Sequence, residues 1–322
     1  MNYRALGRTG LEISEISFGA WGIGGGMWQG SRDGESTLAL HKAVDLGVNF
    51  IDTALAYGDG HSERLAGKFL RERKEKIFVA TKIPPKNQRW PARSGTPLAD
   101  AFPGEYIIRC TEESLKNLGV DTIDVQQFHV WDDGWAGAPE WQEAFERLKK
   151  EGKIRFAGIS INDHQPSNAL KAAATGKIDC FQVIYNIFDQ SPEEELFPYC
   201  LEHNLGIIVR VPLDEGGLTG TISPETTFPD GDWRHRYFRG DRKAQVSSRA
   251  TALQALLGKD AATLSELALR FCLQHRAVST VIPGMRTALH AEMNSAVSDG
   301  KKLSAPLLAE LRRHAWERNF YA

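Results

Sequence analysis

Four residues in this chain could act together on one polar bond: Asp52, Tyr57, Lys82 and His129. The stretch from 48 to 63 reads VNFIDTALAYGDGHSE. Its opening apolar run, 48–51, has the character of a short buried strand. Asp52 stands at the end of that strand, and Tyr57 follows in a loop punctuated by Gly58 and Gly60. Ser62 and Glu63 suit the N-cap and first-turn acid of a following helix. A phenol with an ordinary pKa of about 10 is a weak proton donor near neutrality. It becomes a useful one when a nearby cation stabilises the phenolate. Lys82, which ends the next apolar run at 77–81, is that cation, and a third run at 123–128 ends at His129. Successive strand ends thus offer a carboxylate with a phenol, then an ammonium, then an imidazole.

The elements that would position them repeat along the chain. Residues 3–6 and 11–14 read as a hairpin around a Gly-containing turn, and 16–19 as a first core strand. Strands at 48–51, 77–81, 123–128, 154–159, 180–185, 206–211 and 278–282 then alternate with helices. Those helices are expected over 36–46, with Gly47 as its C-terminal cap, and over 62–72, 105–118, 139–150, 165–174, 193–203, 263–274 and 287–297, with a last one over 305–318. Eight short apolar strands, each followed by a helix, imply a parallel sheet covered by helices. A closed barrel is the economical arrangement at this length. The competing open, doubly wound sheet lacks its usual mark, because no GxGxxG follows the first strand. The expected fold is a (β/α)8 TIM barrel in one domain, 1–322. It carries an N-terminal β-hairpin, two extra helices and long loops at the C-terminal face.

Barrel enzymes work at the C-terminal ends of their strands, where Asp52, Lys82 and His129 would lie. Long connections at about 83–104, 130–138 and 212–240 decorate that rim and hold Trp90, Trp131, Trp135 and Trp233, half of the eight tryptophans. Tryptophan concentrated in loops suggests a pocket wall, so Trp21, Trp90 and Trp131 are expected to line the substrate pocket with Tyr57 and His129. The Gly-rich loop 22–26 lacks the Gly-Lys-Ser/Thr of a phosphate loop and reads as a mobile substrate loop. The basic stretch 234–242 reads either as part of a lid or as a solvated charged face.

The bulk numbers exclude other classes. The chain has 322 residues, 42% hydrophobic and 25% charged, an ordinary globular composition. A formal net charge of −2 offers no electrostatic case for nucleic acid or an anionic membrane. Cys110, Cys180, Cys200 and Cys272 form no CxxC pair and read as buried thiols. No HExxH or comparable ligand spacing points to a metal. The opening MNYRALGRTG lacks the apolar segment of a signal peptide, and no run reaches the roughly 18 apolar residues of a membrane span. A soluble, cytoplasmic protein is expected, with its oligomeric state open.

Taken together, these residues resemble the aldo-keto reductases nearly end to end. LGRTGLEISEISFGAWGIGG is similar to that family's opening hairpin and first strand, and NFIDTALAYGDGHSE to its Asp/Tyr signature. VATKI carries the family lysine and SLKNLGVDTIDVQQFH the family histidine. KKEGKIRFAGIS, FQVIYN, VPL with GGLTG, and VIPGMRTALHAEMN resemble its cofactor-side segments. The resemblance implies a barrel that uses NADPH, less often NADH, to reduce a small-molecule carbonyl. Tyr57 would then donate the proton, Lys82 with Asp52 would lower the phenol's pKa, and His129 would orient the carbonyl oxygen.

The resemblance also implies the cofactor contacts. Trp21, Asp52, Ser160 and Gln182 would lie at the nicotinamide end, Ser160 and Gln182 holding the carboxamide. The family often has Asn directly after that serine, but here Ile161 intervenes and Asn162 comes one place late. Arg210 stands where an aromatic commonly stacks on the nicotinamide. Pro212, Leu213, Gly217, Leu218 and Gly220, with Gly216, would let the backbone approach the diphosphate closely. Gly284, Arg286, His290 and Asn294, with Pro283, would form the adenosine corner, where Arg286 would favour a 2′-phosphate. An alternative of another class is a nicotinamide-sensing regulatory subunit on the same fold, like channel β-subunits, with slow turnover.

Overall fold

Side chains alternate along a strand, and here that alternation decides which residues reach the middle of the molecule. The structure, a computed structural model, describes residues 1–316 and residue 319. A two-stranded antiparallel hairpin, β1 (Tyr3–Ala5) and β2 (Glu12–Ser14), opens the chain. Eight parallel strands follow in sequential order. They are β3 (Phe18–Gly19), β4 (Phe50–Asp52), β5 (Phe78–Ile83), β6 (Ile123–Phe128), β7 (Ile154–Ser160), β8 (Cys180–Ile184), β9 (Gly206–Arg210) and β10 (Thr280–Val281). Parallel bridges from Ile16 to Val281 and from Gly19 to Gly284 join the last strand to the first, with Ser17 N donating to Val281 O at 2.9 Å. The ring is closed, as the alternation of strands and helices predicts.

Two apolar layers follow from the alternation. Ile51, Val79, Phe128, Ile159, Phe181 and Val209 face outward and pack under the helices. Phe50, Phe78, Ala80, Val125, Cys180 and Ile208 face inward, where Leu6, Leu11 and Ile13 of the hairpin join them. The hairpin therefore plugs the N-terminal floor of the barrel. Counting in steps of two up each strand leads from this floor to the polar mouth: Phe50 to Asp52, Phe78 to Lys82, Val125 to Gln127 and His129, Cys180 to Gln182, and Ile208 to Arg210.

Several boundaries differ from the sequence reading, each for a local reason. The helix expected from 62 begins at His61 behind Gly60, whose φ of 74° lies in the left-handed region. Ser62 is no cap: its hydroxyl accepts from Thr53 Oγ1 at 2.8 Å and donates to Ala20 O at 2.9 Å. Glu63 is fully buried against Thr81 Oγ1 at 2.6 Å and Asn117 Nδ2 at 2.8 Å. The helix expected over 165–174 shrinks to Leu170–Ala174. Asn168 is drawn instead to Trp131 O and Asp133 N, at 2.7 and 2.8 Å, the competition with helix that Asn side chains offer. The segment after Val211 is less irregular than expected, holding helices at Arg234–Tyr237 and Arg242–Gln254. The last helix stops at Arg312, and positions 317 and 318 of the expected span lie outside the described residues. All four cysteines are buried free thiols. Among the described residues no helix is long and apolar enough to cross a membrane.

Candidate active site

The strand ends bring Asp52, Tyr57, Lys82 and His129 to one place. Lys82 Nζ, fully buried, donates to Asp52 Oδ1 at 2.5 Å and to Thr53 O at 2.8 Å, and lies 3.3 Å from the Tyr57 hydroxyl. The second carboxylate oxygen of Asp52 accepts from Gln182 Nε2 at 2.7 Å and Gln127 Nε2 at 3.3 Å. The Tyr57 ring stands edge-on to His129 at 5.5 Å between centroids. Its loop needs glycine: Gly58 has φ of 62°, and a Cβ there would lie 1.8 Å from Gly24 O. Loop 22–26 therefore sits directly against the residue that follows the phenol.

Burial sets the protonation states. It pushes the Tyr57 phenol above its ordinary range, and Lys82 pulls it back only in part. This corrects the expectation of a lowered phenol pKa: depth outweighs the cation, and Tyr57 stays a phenol throughout the neutral range. Lys82 is itself raised: burial opposes its charge, but Asp52 and Tyr57 more than offset that cost. His129 is held well below the usual imidazole range by burial first, then by Lys82 and Arg210, so it is neutral. A buried phenol that remains a proton donor and a neutral imidazole aimed at the same space suit a reaction in which negative charge appears on oxygen.

The cofactor-side residues are more dispersed. Ser160, at the end of β7, pairs with Gln182 in the middle of β8, and the Gln182 amide nitrogen is already engaged by Asp52. Asn162 turns away, bonding Trp131 N at 3.2 Å and Ala92 O at 3.2 Å. Arg210 is ion-paired with Asp163 and donates to Ile161 O at 2.9 Å. The turn through Pro212 and Leu213 holds Val211, Asp214, Glu215 and Gly216 at φ of 54°, 48°, 53° and 104°. A Cβ at Gly217 would meet Asp214 Oδ2 at 2.3 Å. Leu218 is buried there, and Gly220 closes the turn at φ of 78°. Gly284 O accepts from Asn294 Nδ2 at 3.4 Å, and burial with the neighbouring Arg286 lowers the His290 imidazole.

Two loops meet over this corner. Trp233 N donates to Met27 O at 2.7 Å, Gln29 N to Asp232 Oδ2 at 3.1 Å, and Arg286 Nη1 to Gln29 O at 3.1 Å. Residues 27 and 29, just beyond the Gly-rich loop 22–26, are thus tied to 232 and 233. Arg234 grips Asp232 through two 2.8 Å bonds and stacks over Trp28, its guanidinium carbon 4.6 Å from the ring centroid. The mouth fits a nicotinamide dinucleotide in two respects: backbone bared by glycine lies beside it, and buried polar atoms, His129 Nδ1 and Trp28 Nε1, have no hydrogen-bond partner among the described residues.

The aromatic walls divide. Trp21 lies 5.3 Å from Trp28, 6.1 Å from Tyr57 and 6.3 Å from Trp233, and Trp90 stands edge-on to His129 at 4.6 Å. Trp131, expected in the pocket, is instead 0% exposed, packed on Phe128, Trp135 and Trp141, with Nε1 bonded to Asp133. Its loop folds inward and adds to the outer core. Trp131→Ala is expected to destabilise the protein by about 3–5 kcal/mol, as large core truncations do, without changing substrate preference. Denaturant unfolding and a substrate panel check this; a changed preference at near-normal stability would contradict it. Gln127, Trp28, Asp163 and Asp232 escaped the sequence reading. Stepping by two from Val125 would have found Gln127.

A closed barrel with this set at its C-terminal mouth defines a barrel oxidoreductase. Residues 15–315 match the model of the Aldo/keto reductase family. The aldo-keto reductase YhdN of Bacillus subtilis is 33% identical over 239 residues, 73% of this chain and 69% of that protein. The NADH-specific methylglyoxal reductase of Escherichia coli is 29% identical over 294 residues, 87% and 88% of the two chains. The holo form of aldo-keto reductase AKR11C1 from Bacillus halodurans superimposes with a TM-score of 0.77 at 28% identity, covering 98% of this chain and 96% of that one. The chain belongs to the aldo/keto reductase family and is an NAD(P)H-dependent oxidoreductase.

Proposed function

We propose that the protein reduces aldehyde or ketone carbonyls of small or sugar-like molecules, with NADPH preferred over NADH and Tyr57 as proton donor. The observation that carries this is the buried Lys82 ammonium, 2.5 Å from Asp52 and 3.3 Å from the Tyr57 hydroxyl. A reduced nicotinamide, when bound, would supply the hydride for the carbonyl carbon. Tyr57 gives its proton to the carbonyl oxygen, and Lys82 stabilises the phenolate left behind. Neutral His129 donates one hydrogen bond to that oxygen and so fixes the face presented to the cofactor. Trp21 and Trp90 wall the site and exclude water. Ser160 and the Gln182 carbonyl would hold the carboxamide, and Pro212 to Gly220 would support the diphosphate. Cytoplasmic action fits the proposal.

Arg286 would read the 2′-phosphate, helped by His290 and Asn294. Its guanidinium is half-buried and, among the described residues, meets Gln29 O and the Trp28 ring. Tryptophan fluorescence titrated with each cofactor tests this. A charge-assisted contact is worth about 1.5–3 kcal/mol, so Arg286→Met should weaken NADPH roughly 10- to 150-fold and leave NADH unchanged. Equal affinity of the wild-type protein for both cofactors would remove Arg286 from that role. The E. coli relative's name says NADH-specific, which makes the comparison decisive. The competing nicotinamide-sensor reading predicts binding without appreciable turnover.

A further inference from the structure

Asp52 is gripped on both of its oxygens, and one of those grips has no part in the mechanism above. Oδ1 takes the Lys82 ammonium at 2.5 Å, while Oδ2 takes two amides, Gln182 Nε2 at 2.7 Å and Gln127 Nε2 at 3.3 Å. The three side chains come from β4, β6 and β8, alternate strands that contribute to one inward layer of a barrel. Gln127 is 0% exposed and stands two residues before His129 on the inward face. Its own carbonyl oxygen, Oε1, is buried with no hydrogen-bond partner among the described residues, an arrangement that costs free energy. The neighbouring strand leaves room for it: a Cβ at Gly158 would stand 2.9 Å from Gln127 Cγ. An apolar side chain of similar length would fill that space without an orphaned carbonyl, so packing alone does not account for an amide here. The bond to Asp52 does.

We infer that Gln127 is a positioning residue for carbonyl reduction: its amide ties down Asp52 Oδ2, and so keeps Oδ1 turned to Lys82 and the ammonium within reach of the Tyr57 hydroxyl. The inference rests on the reductase reading above. The terminal torsion of an aspartate is broad, and the ionised group accepts at both oxygens. Lys82 fixes one of them, and the amides fix the other. Gln182 has a second task in that reading, at the nicotinamide carboxamide. Among the described residues Gln127 Nε2 donates to Asp52 alone, so its grip does not depend on whether cofactor is bound. Gln127 acts through Asp52 and Lys82 and touches no reacting atom.

The test is steady-state reduction with NADPH by Gln127→Met, which has nearly the same shape and no donor. Its kcat should fall roughly 10-fold, the lower end of what a hydrogen bond to a charged group is worth. KM, the fluorescence Kd for NADPH and the thermal midpoint should stay near wild type. Burial lowers Lys82 and Asp52 with Tyr57 more than offsets it, while burial raises Tyr57 and Asp52 raises it further. A loosened Asp52 should therefore bring the alkaline limb of kcat to lower pH. The other groups facing this cluster stay silent there: His129 is already neutral, and the Arg210 guanidinium does not titrate. Gln127→Asn draws the amide back by one methylene, should show the same loss, and decides the matter if the Met variant does not fold. Unchanged kcat would overturn the inference and leave the reductase reading intact. So would a lowered kcat with an unmoved limb, or one matched by weaker NADPH binding. No turnover of any carbonyl by the wild-type protein would overturn both.

Discussion

Tyr57→Phe is expected to lower the rate of carbonyl reduction by roughly 10²- to 10⁴-fold, the usual contribution of a positioned general acid. Only an oxygen is removed. The ring keeps its packing against Trp21 and His129, at 6.1 and 5.5 Å between centroids, so cofactor affinity should be unchanged. The loss should fall on kcat, because the phenol acts where charge develops on oxygen and not in holding the ground state. Burial raises the phenol, so the wild-type rate should be flat through neutrality and fall only in or above the ordinary phenol range near 10. Steady-state rates with a fluorescence Kd for NADPH decide it. Near-normal reduction by Tyr57→Phe would sink the proton-donor assignment.

Lys82→Met should cost both stability and activity. The Asp52 carboxylate, 2% exposed, would lose the ammonium 2.5 Å away and keep only the amides of Gln127 and Gln182. Breaking one side of a buried pair typically costs about 3–5 kcal/mol, because an uncompensated charge stays in the interior. Removing both charges is much milder. The double variant Asp52→Asn with Lys82→Met should therefore recover most of the lost stability while remaining inactive, since no cation is left to stabilise the Tyr57 phenolate. Chemical denaturation of the two variants, set beside turnover, separates these effects. Full activity in the stable double variant would contradict the role given to Lys82.

What was legible in one dimension was whatever repeats or ends. Apolar runs closed by Asp52, Lys82 and His129 announced both the barrel and its working rim, because a strand has only one C-terminal end. Alternation then decided the inward residues, so Gln127 was readable in principle. Illegible were contacts made by residues far apart in the chain. Glu63 is the first-turn acid its position suggests, but no local signal reports that Thr81 and Asn117 bury it. Trp131 sits in a loop whose inward fold no local signal reports, and core and pocket call for the same residue type. The clasp between 27–29 and 232–233 joins segments some 200 residues apart. The presence of Lys82 beside Tyr57 could be inferred, but not the burial that outweighs it.

The most direct test of the central claim is a single-turnover experiment. NADPH-loaded protein is mixed with a panel of aldehydes and ketones while the reduced cofactor's absorbance is followed. The structure predicts loss of absorbance with stoichiometric alcohol for at least one carbonyl in the wild-type protein, and loss at a rate at least 10²-fold lower in Tyr57→Phe. Tight NADPH binding with no oxidation by any member of the panel would contradict the reductase assignment and leave a nicotinamide sensor in its place.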